Sequence, residues 1–269
     1  MVVKKEEEKV PLESFPGTKK DQLQALYDQW YGCTKCDLGE LRNCEGHQEI
    51  VFGQGSPEAP VLIIGEAPGE EEENTSLPFV GKSGQLLNQL IATTSGDPEV
   101  IERFNEYCGK SHGTKSQDRI NEFHDWMFEW RWRDFFITNA VACRPPENAT
   151  PVKTQINACW ERLRNIIFIV DPLIIIAAGN SALGTVLRKA SAKITAMRGK
   201  LYDVDFEGRV GPVTYPVIPI FHPSYLLRQS DFRMKGGAWE KTVEDFRKAM
   251  RVVDVLQYQH KGIQPPPRR

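Results

Sequence analysis

The sequence predicts an α/β protein, a three-layer α/β/α sandwich with a mostly parallel four-stranded central sheet. Three observations lead to this prediction. Short runs that are apolar throughout recur along the 269 residues, which is typical of parallel strands covered on both faces. Stretches whose apolar residues have helical spacing separate these runs. Strands that alternate with helices form a parallel sheet flanked by helices.

The individual elements follow from the same patterns in chain order. Leu23, Leu26 and Trp30 have helical spacing and predict a first helix over about 18–31. Further helices are predicted over about 83–94, 151–169 and 238–256, and another after Gly179. Strands are predicted over 61–64, 135–138, 173–177 and 217–221, the last preceded by a hairpin-like stretch over about 199–216 with its turn at Glu207–Gly208.

The chain divides into a main domain and two tails. Residues 1–17 are charged and contain Pro, so we predict a flexible N-terminal lead-in. Residues 18–257 form one domain, and the Pro-rich residues 258–269 form a disordered tail. Residues 97–133 lack strand patterns and are interpreted as an insertion. Its aromatic residues have helical spacing, for which packing of a helix on the domain is the default; a stacking surface for single-stranded DNA and a partner-binding surface are the alternatives.

Composition restricts the class of protein. No apolar run approaches the roughly 18 residues of a membrane span, and the first twenty residues do not resemble a signal peptide. We therefore expect a cytoplasmic protein with no membrane partner, acting as a monomer. The formal net charge of −2 does not indicate a nucleic-acid partner, but it permits a local basic face.

Six cysteines in such a chain argue against disulfides, because the cytosol keeps thiols reduced. Cys33 and Cys36 form a C-x-x-C pair, while Cys143 follows the second strand and Cys159 lies in the next helix. Four thiolates can hold either zinc or a four-iron, four-sulfur cluster. The spacing alone leaves both open.

Polar residues follow three of the predicted strands. Glu66 comes after the first strand, Asn139 after the second and His222 after the fourth. In a parallel sheet these ends meet at one edge, where ligands bind. A carboxylate, an amide and an imidazole around one pocket suit recognition of a planar heterocycle and stabilisation of a leaving anion.

Three motifs around these residues carry a resemblance to a known family. Residues 51–88, VFGQGSPEAPVLIIGEAPGEEEENTSLPFVGKSGQLLN, resemble the first motif of the iron–sulfur (family 4) uracil-DNA glycosylases. Residues 137–151, ITNAVACRPPENATP, resemble the second motif, and residues 221–228, FHPSYLLR, the third. The similarity runs colinearly from about 30 to 256, apart from the insertion.

The resemblance implies roles for the residues at the strand ends. Glu66 would position the attacking water and offset positive charge on the sugar, although a carboxylate at a helix start also has a purely structural explanation. His222 would stabilise the departing uracil anion through a neutral imidazole N–H. Asn139 would read the uracil edge, Phe79 would stack on the base or simply pack in the core, and Glu72 would crowd a thymine methyl. Gly65 and Ala67 would complete the base-binding wall.

The resemblance also implies DNA contacts and a cluster. The predicted DNA-binding residues lie on the third motif and on nearby basic positions: Lys82, Arg198, Lys200, Leu226, Leu227 and Arg228. A leucine of this loop would fill the stack that the base leaves, and the basic residues would contact phosphates unless they are only solvated surface. The four cysteines Cys33, Cys36, Cys143 and Cys159 match the family's ligands, which favours the iron–sulfur cluster over zinc.

The predicted activity is hydrolysis of the N-glycosidic bond of uracil in single- or double-stranded DNA, without strand cleavage. Two departures from the family pattern affect the pocket mouth: Glu73 stands where many relatives carry Asp, and Ser76-Leu77 replaces a Gly-x pair. They leave open a glycosylase for a modified pyrimidine. A DNA-binding module that captures a base without hydrolysing it is the alternative outside catalysis.

Overall fold

A computed structural model describes residues 15–47, 49–108, 117–208 and 211–260 of the protein. The central sheet has six strands in the order β1-β3-β2-β4-β6-β5. The strands are β1 (Gln54–Gly55), β2 (Val61–Gly65), β3 (Phe135–Asn139), β4 (Ile174–Ala178), β5 (Tyr202–Gly208) and β6 (Gly211–Ile220). The pairs β2–β3, β2–β4 and β4–β6 are parallel. The four predicted strands are thus the parallel centre of this sheet.

The predicted strand number of four is wrong, because an antiparallel strand pairs at each edge. On one side, β1 contributes two residues to β3, too few to form an apolar pattern. On the other side, β5 pairs with β6 along its whole length. The predicted hairpin and fourth strand are one continuous structure, since β6 runs unbroken from Gly211 to Ile220. The connection through residues 209 and 210 lies outside the described residues.

Eleven helices are described: α1 (Lys19–Trp30), α2 (Asp37–Cys44), α3 (Glu70–Thr75), α4 (Lys82–Thr94), α5 (Pro98–Cys108), α6 (Gln117–Trp130), α7 (Lys153–Val170), α8 (Gly179–Val186), α9 (Ile194–Met197), α10 (Pro223–Leu227) and α11 (Ala238–His260). A short 3₁₀ helix spans Pro146–Asn148. Helix α11 extends three residues into the predicted tail, and residues 1–14 and 261–269 lie outside the described chain. None of the described helices is long and apolar enough to cross a membrane.

Two hydrophobic clusters cover opposite faces of the sheet. Along β2, Leu62 and Ile64 belong to one cluster, while Val61 and Ile63 belong to the other. This alternation is the two-residue period of a strand. Helices α1, α7 and α8 contribute to the first cluster, and α4, α5, α6 and α11 to the second. The predicted three-layer α/β/α sandwich is confirmed.

The predicted insertion folds as the helix pair α5 and α6, which packs on α4. Tyr107 and Phe123 stack between the two helices with ring centroids 4.3 Å apart. Phe123 and Trp130 are buried, and the guanidinium of Arg103 covers Trp126 at 4.5 Å. The aromatic residues therefore pack within the domain, as their spacing favours.

Candidate active site

The carboxyl ends of three parallel strands open into one cavity of about 840 Å³. Glu66 directly follows β2, and Asn139 ends β3, where it pairs with Gly65 in the sheet. His222 lies two residues beyond β6. All three side chains line the cavity, together with Phe79. Groups that are far apart in sequence are therefore brought to one space by the parallel register.

The part of the cavity wall around Asn139 is tightly packed. Asn139 is only 2% exposed, and its Oδ1 atom has no hydrogen-bond partner among the residues that the structure describes. A buried polar atom without a partner costs about 1–3 kcal/mol, which a ligand that donates to it would offset. A Cβ atom at Gly65 would collide with this Oδ1 atom and lie 2.6 Å from Cζ of Phe79. Only glycine at residue 65 leaves both side chains in place.

His222 is held as a neutral imidazole whose tautomer follows from its bonds. The Nδ1 atom accepts a hydrogen bond from the backbone N–H of Ser224 at 3.1 Å, so the ring proton resides on Nε2. Burial lowers the pKa of His222 to about 4, and the Arg228 cation adds to this effect. The ring lies 5.7 Å from that of Phe79, centroid to centroid. An uncharged N–H donor is therefore available on the cavity wall at neutral pH.

Glu66 is oriented by a residue that the sequence analysis did not identify. Oγ of Ser181 donates to Oε2 of Glu66 at 2.5 Å, and both residues line the cavity. Ser181 lies in the first turn of α8, just after β4 and Gly179. Glycine makes this turn at φ +88°. In the sequence Ser181 is marked only by its position shortly after the third predicted strand, which does not reveal its partner Glu66.

Glu72 also lines the cavity, but its carboxylate is engaged by the backbone. Oε1 accepts from the N–H groups of Val80 and Gly81, both at 2.9 Å, and Oε2 accepts from Gly69 at 3.0 Å. The side chain thus links the start of α3 to the start of α4. Its contact with a thymine methyl, implied by the resemblance, stays a prediction.

The basic residues of the predicted DNA interface divide into two groups. Lys82 and Arg228 are exposed and line the cavity. Arg198 is instead paired with the buried carboxylate of Asp245 at 2.7 Å and lies away from the cavity wall. Lys200 is exposed but also lies off that wall. Only the first two residues are therefore positioned at the cavity for a phosphate.

The two leucines of the third motif lie on helix α10, which corrects the predicted loop. Leu226 is fully buried in the core, whereas Leu227 is 43% exposed. Residues adjacent in a helix face different directions, so only one of them points outward. Leu227 is the apolar side chain available to DNA in this conformation, and Leu226 is a core residue.

The two places where the pocket mouth departs from the family pattern, Glu73 and Ser76-Leu77, each show a distinct local structure. Glu73 pairs with Arg144 at 3.3 Å and so joins α3 to the segment before the 3₁₀ helix. Ser76 ends α3 with φ +57°, a left-handed conformation that favours glycine. The mouth therefore contains an ion pair and one strained backbone position.

Comparison with known proteins agrees with this geometry. A family model for the uracil DNA glycosylase superfamily matches residues 52–249. The chain belongs to this superfamily. It is 30% identical to a type-4 uracil-DNA glycosylase of Thermotoga maritima, over 86% of this chain and 95% of that protein. Type-4 uracil-DNA glycosylases of Saccharolobus solfataricus (32% identical, covering 85% of each chain) and Sulfurisphaera tokodaii (30%, covering 79% and 83%) are similar to it as well. The resemblance that the three motifs carry is confirmed.

Arg162 links the predicted cysteine ligands to the strand end at Asn139, because it donates to the Asn139 carbonyl oxygen and interacts with Cys33, Cys143 and Cys159. Cys33 and Cys36 are half-buried before α2, and Cys143 and Cys159 are buried, at 5% each. Cys143 interacts electrostatically with Cys159 and Cys36. Within the described residues, no group of three or more His, Cys, Asp or Glu side chains forms a metal-holding arrangement. Three of the four predicted ligands, Cys36, Cys143 and Cys159, are thus close enough to interact.

The surroundings of these thiols fit an anionic, thiolate-bound group. Two buried guanidinium groups face them: Arg42 bonds to Cys143, and Arg162 bonds to Cys159. The Nε atom of each arginine has no partner among the described atoms. Burial raises the pKa of Cys143 to about 12, and the neighbouring Cys159 adds to the effect, so this thiol would ionise at neutral pH only on binding a metal. Since buried cations need a compensating charge, thiolates that bind a soft metal or an iron–sulfur cluster would balance this arrangement.

Proposed function

We propose that the protein hydrolyses the N-glycosidic bond of deoxyuridine in DNA, releasing uracil and leaving an abasic site. The observation that carries the proposal is the meeting of Glu66, Asn139, Phe79 and His222 around one cavity. The similar proteins named type-4 uracil-DNA glycosylases support the same activity. The base must leave the stack to reach such a cavity, which costs a few kcal/mol.

Glu66 and His222 act on opposite sides of the breaking bond. Departure of the base leaves positive charge on the sugar, which the Glu66 carboxylate stabilises while it orients the attacking water. The electron pair of the bond goes to uracil, which leaves as an anion. The low pKa of His222 keeps its ring neutral, so the Nε2–H stabilises this anion as a hydrogen-bond donor and no imidazolium proton is transferred to it.

Asn139 and Phe79 select the base. The amide of Asn139 presents an acceptor and a donor, which match N3–H and O4 of uracil and mismatch the corresponding edge of cytosine. Its unpaired Oδ1 is the acceptor for N3–H. Phe79 stacks on the ring, Gly65 and Ala67 complete the wall, and Glu72 faces the C5 position. A polar site of this kind discriminates strongly, because the wrong base leaves buried groups unpaired.

DNA is held at the mouth of the cavity. Lys82 and Arg228 contact phosphates, and Leu227 enters the space that the extruded base leaves. No strand cleavage is expected, because Lys82 is the only lysine on the cavity wall among the described residues and its exposed side chain suits a phosphate contact. We also propose that the protein acts as a monomer in the cytoplasm, and that 18–257 is a single domain.

We further propose that Cys33, Cys36, Cys143 and Cys159 hold a four-iron, four-sulfur cluster, with zinc as the alternative. The bound cluster supplies a structural link between the N-terminal segment and α7, and no chemistry. Lys35, within the C-x-x-C pair, already bonds to Glu161 of α7 at 3.2 Å. Iron and sulfide analysis with an absorbance spectrum of the purified protein distinguishes the two metals, since zinc is colourless.

The central experiment is excision from oligonucleotides that contain uracil, hydroxymethyluracil or hypoxanthine. Release of uracil is expected, and Glu66→Gln, Asn139→Ala and His222→Ala should each reduce it by about 100-fold or more. Glu102→Gln, an exposed carboxylate on α5, is the matched control and should have no effect. Release only of another base would favour the modified-pyrimidine alternative. Tight binding without release would favour a non-catalytic module.

A further inference from the structure

The aromatic residue on the cavity wall has an unusual backbone. Phe79 has φ +54°, a left-handed conformation that side chains other than Gly and Asn seldom adopt. It is only 5% exposed and lies in residues 78–81, here called the Phe79 loop, between α3 and α4. Strained conformations persist only where the surroundings hold them, and they cluster at ligand sites. The groups that hold this loop therefore decide where the ring lies.

A buried arginine from the insertion bonds to the carbonyls of the Phe79 loop. Nη2 of Arg131 donates to the carbonyl oxygens of Pro78 (3.2 Å) and Phe79 (2.9 Å), and Nη1 donates to Oδ1 of Asn88 (2.8 Å). Arg131 is fully buried and continues the last turn of α6. A buried guanidinium is costly unless its donors are satisfied. Burial lowers the pKa of Arg131 to about 9, so it remains charged at neutral pH.

A carboxylate holds the same loop from its amide side. Oε1 of Glu72 accepts from the N–H groups of Val80 and Gly81, both at 2.9 Å. The loop is thus bonded through its first two carbonyls to a cation and through its next two amides to an anion. The attraction between Arg131 and Glu72 acts across the loop itself. This arrangement holds the loop through its backbone carbonyl and amide groups.

We propose that Arg131 is a positioning residue for base binding, which acts through the Phe79 backbone to hold the ring against the extruded base. The insertion then has a role in the reaction, because α6 delivers this guanidinium. The proposal rests on the proposed uracil excision and adds a residue that is not itself part of the cavity lining. A purely structural arginine would only join α6 to α4.

The test compares variants of Arg131 in two backgrounds. Arg131→Gln should slow single-turnover excision of uracil, and weaken inhibition by free uracil, by about tenfold, the scale of one stacking contact. Binding of abasic DNA should change by less than about twofold, because that ligand has no base to stack. In a Phe79→Ala background, Arg131→Gln should add less than about twofold. If the separate effects of Arg131→Gln and Phe79→Ala on excision multiply in the double variant, the two residues act independently and the proposal is overturned.

Two controls separate positioning from stability. Arg133→Gln makes the same change at an exposed arginine two residues away, and Val100→Ala loosens the buried packing of the insertion without touching the Phe79 loop. Neither should weaken inhibition by uracil. If Val100→Ala matches Arg131→Gln in both melting temperature and uracil inhibition, the role is only structural.

Arg131→Lys carries the test if Arg131→Gln does not fold. Lysine keeps the charge but lacks the planar fork that serves several acceptors, so a smaller loss in the same direction is expected. If the wild type excises uracil and the Arg131 variants have the same inhibition constant for free uracil as the wild type, only the role of Arg131 is overturned. Failure of the wild type to release uracil would instead overturn the proposed function.

Discussion

The substitution Gly65→Ala, which adds one methyl group, should disable the site while leaving the fold intact. Gly65 has a strand conformation that alanine adopts freely, since its φ is not positive. The added Cβ would lie 2.6 Å from Cζ of Phe79, and ordinary contacts begin at about 3.4 Å, so the ring must retreat by about 0.8 Å. The same atom would displace the Asn139 amide. Misplacement of reacting groups by about 1 Å lowers rates by about 100-fold.

The assay is single-turnover excision of uracil from a labelled oligonucleotide, with the melting temperature measured in parallel. Gly65→Ala should excise about 100-fold more slowly, and overpacking of about 1–3 kcal/mol should lower the melting temperature by roughly 2–9 °C. Gly96→Ala is the matched control, because a Cβ there meets no atom within 4 Å. Excision by Gly65→Ala within threefold of wild type would refute the proposed pocket.

The remaining predictions concern residues around the same cavity. The pKa of His222 is lowered to about 4, so kcat/KM should persist well below pH 6 and fall only as the ring is protonated near pH 4; an acid limb at pH 6.5 that disappears in His222→Asn would contradict this. Ser181→Ala should slow excision about tenfold by freeing the Glu66 carboxylate, whereas Ser181→Thr, which keeps the hydroxyl, should not. Arg162→Met should lower the melting temperature by roughly 6–15 °C, because removing one partner of a buried charged interaction costs about 3–5 kcal/mol. An unchanged melting temperature would show that the bonds of Arg162 to Phe52 and Asn139 do not support the sheet. Leu227→Ala should weaken binding of uracil-containing duplex DNA but not of single strands, and equal losses on both would exclude insertion into the stack.

The parallel centre of the sheet could be predicted because each of its strands contains a continuous apolar run of at least three residues. This signal is local: β2, β3 and β4 are buried at every residue. The edge strands lack it. Strand β1 has only two residues. In β5 exposed residues alternate with partly buried ones and only Phe206 is buried, so the membership of β5 in the sheet depends on its partner β6.

The strand-end residues could be predicted because topology alone brings them together. Once β2, β3 and β6 run parallel in one sheet, Glu66, Asn139 and His222 must reach the same edge. The leucines show the limit of this reasoning. Leu226 and Leu227 are adjacent residues of the same type, so the sequence does not distinguish them. Only the packing of α10 buries Leu226 and exposes Leu227.

The supporting residues could not be predicted, because their partners are distant in the chain. Arg131 lies 52 residues from Phe79, and Ser181 lies 115 residues from Glu66. An arginine in a helix and a serine after a strand have no local pattern that marks such a role. Arg198 shows the converse, since a basic residue near the motifs pairs with Asp245 inside the fold.

The sequence by itself determined the layered α/β fold, the family and the polar residues at the strand ends, because hydrophobic periodicity and motif order are properties of neighbouring residues. The tertiary structure decided which buried polar groups meet, which leucine faces outward and how the Phe79 loop is held. These features depend on how the charges and hydrogen-bond donors of remote segments are satisfied, and that requirement is met only when the whole chain is packed.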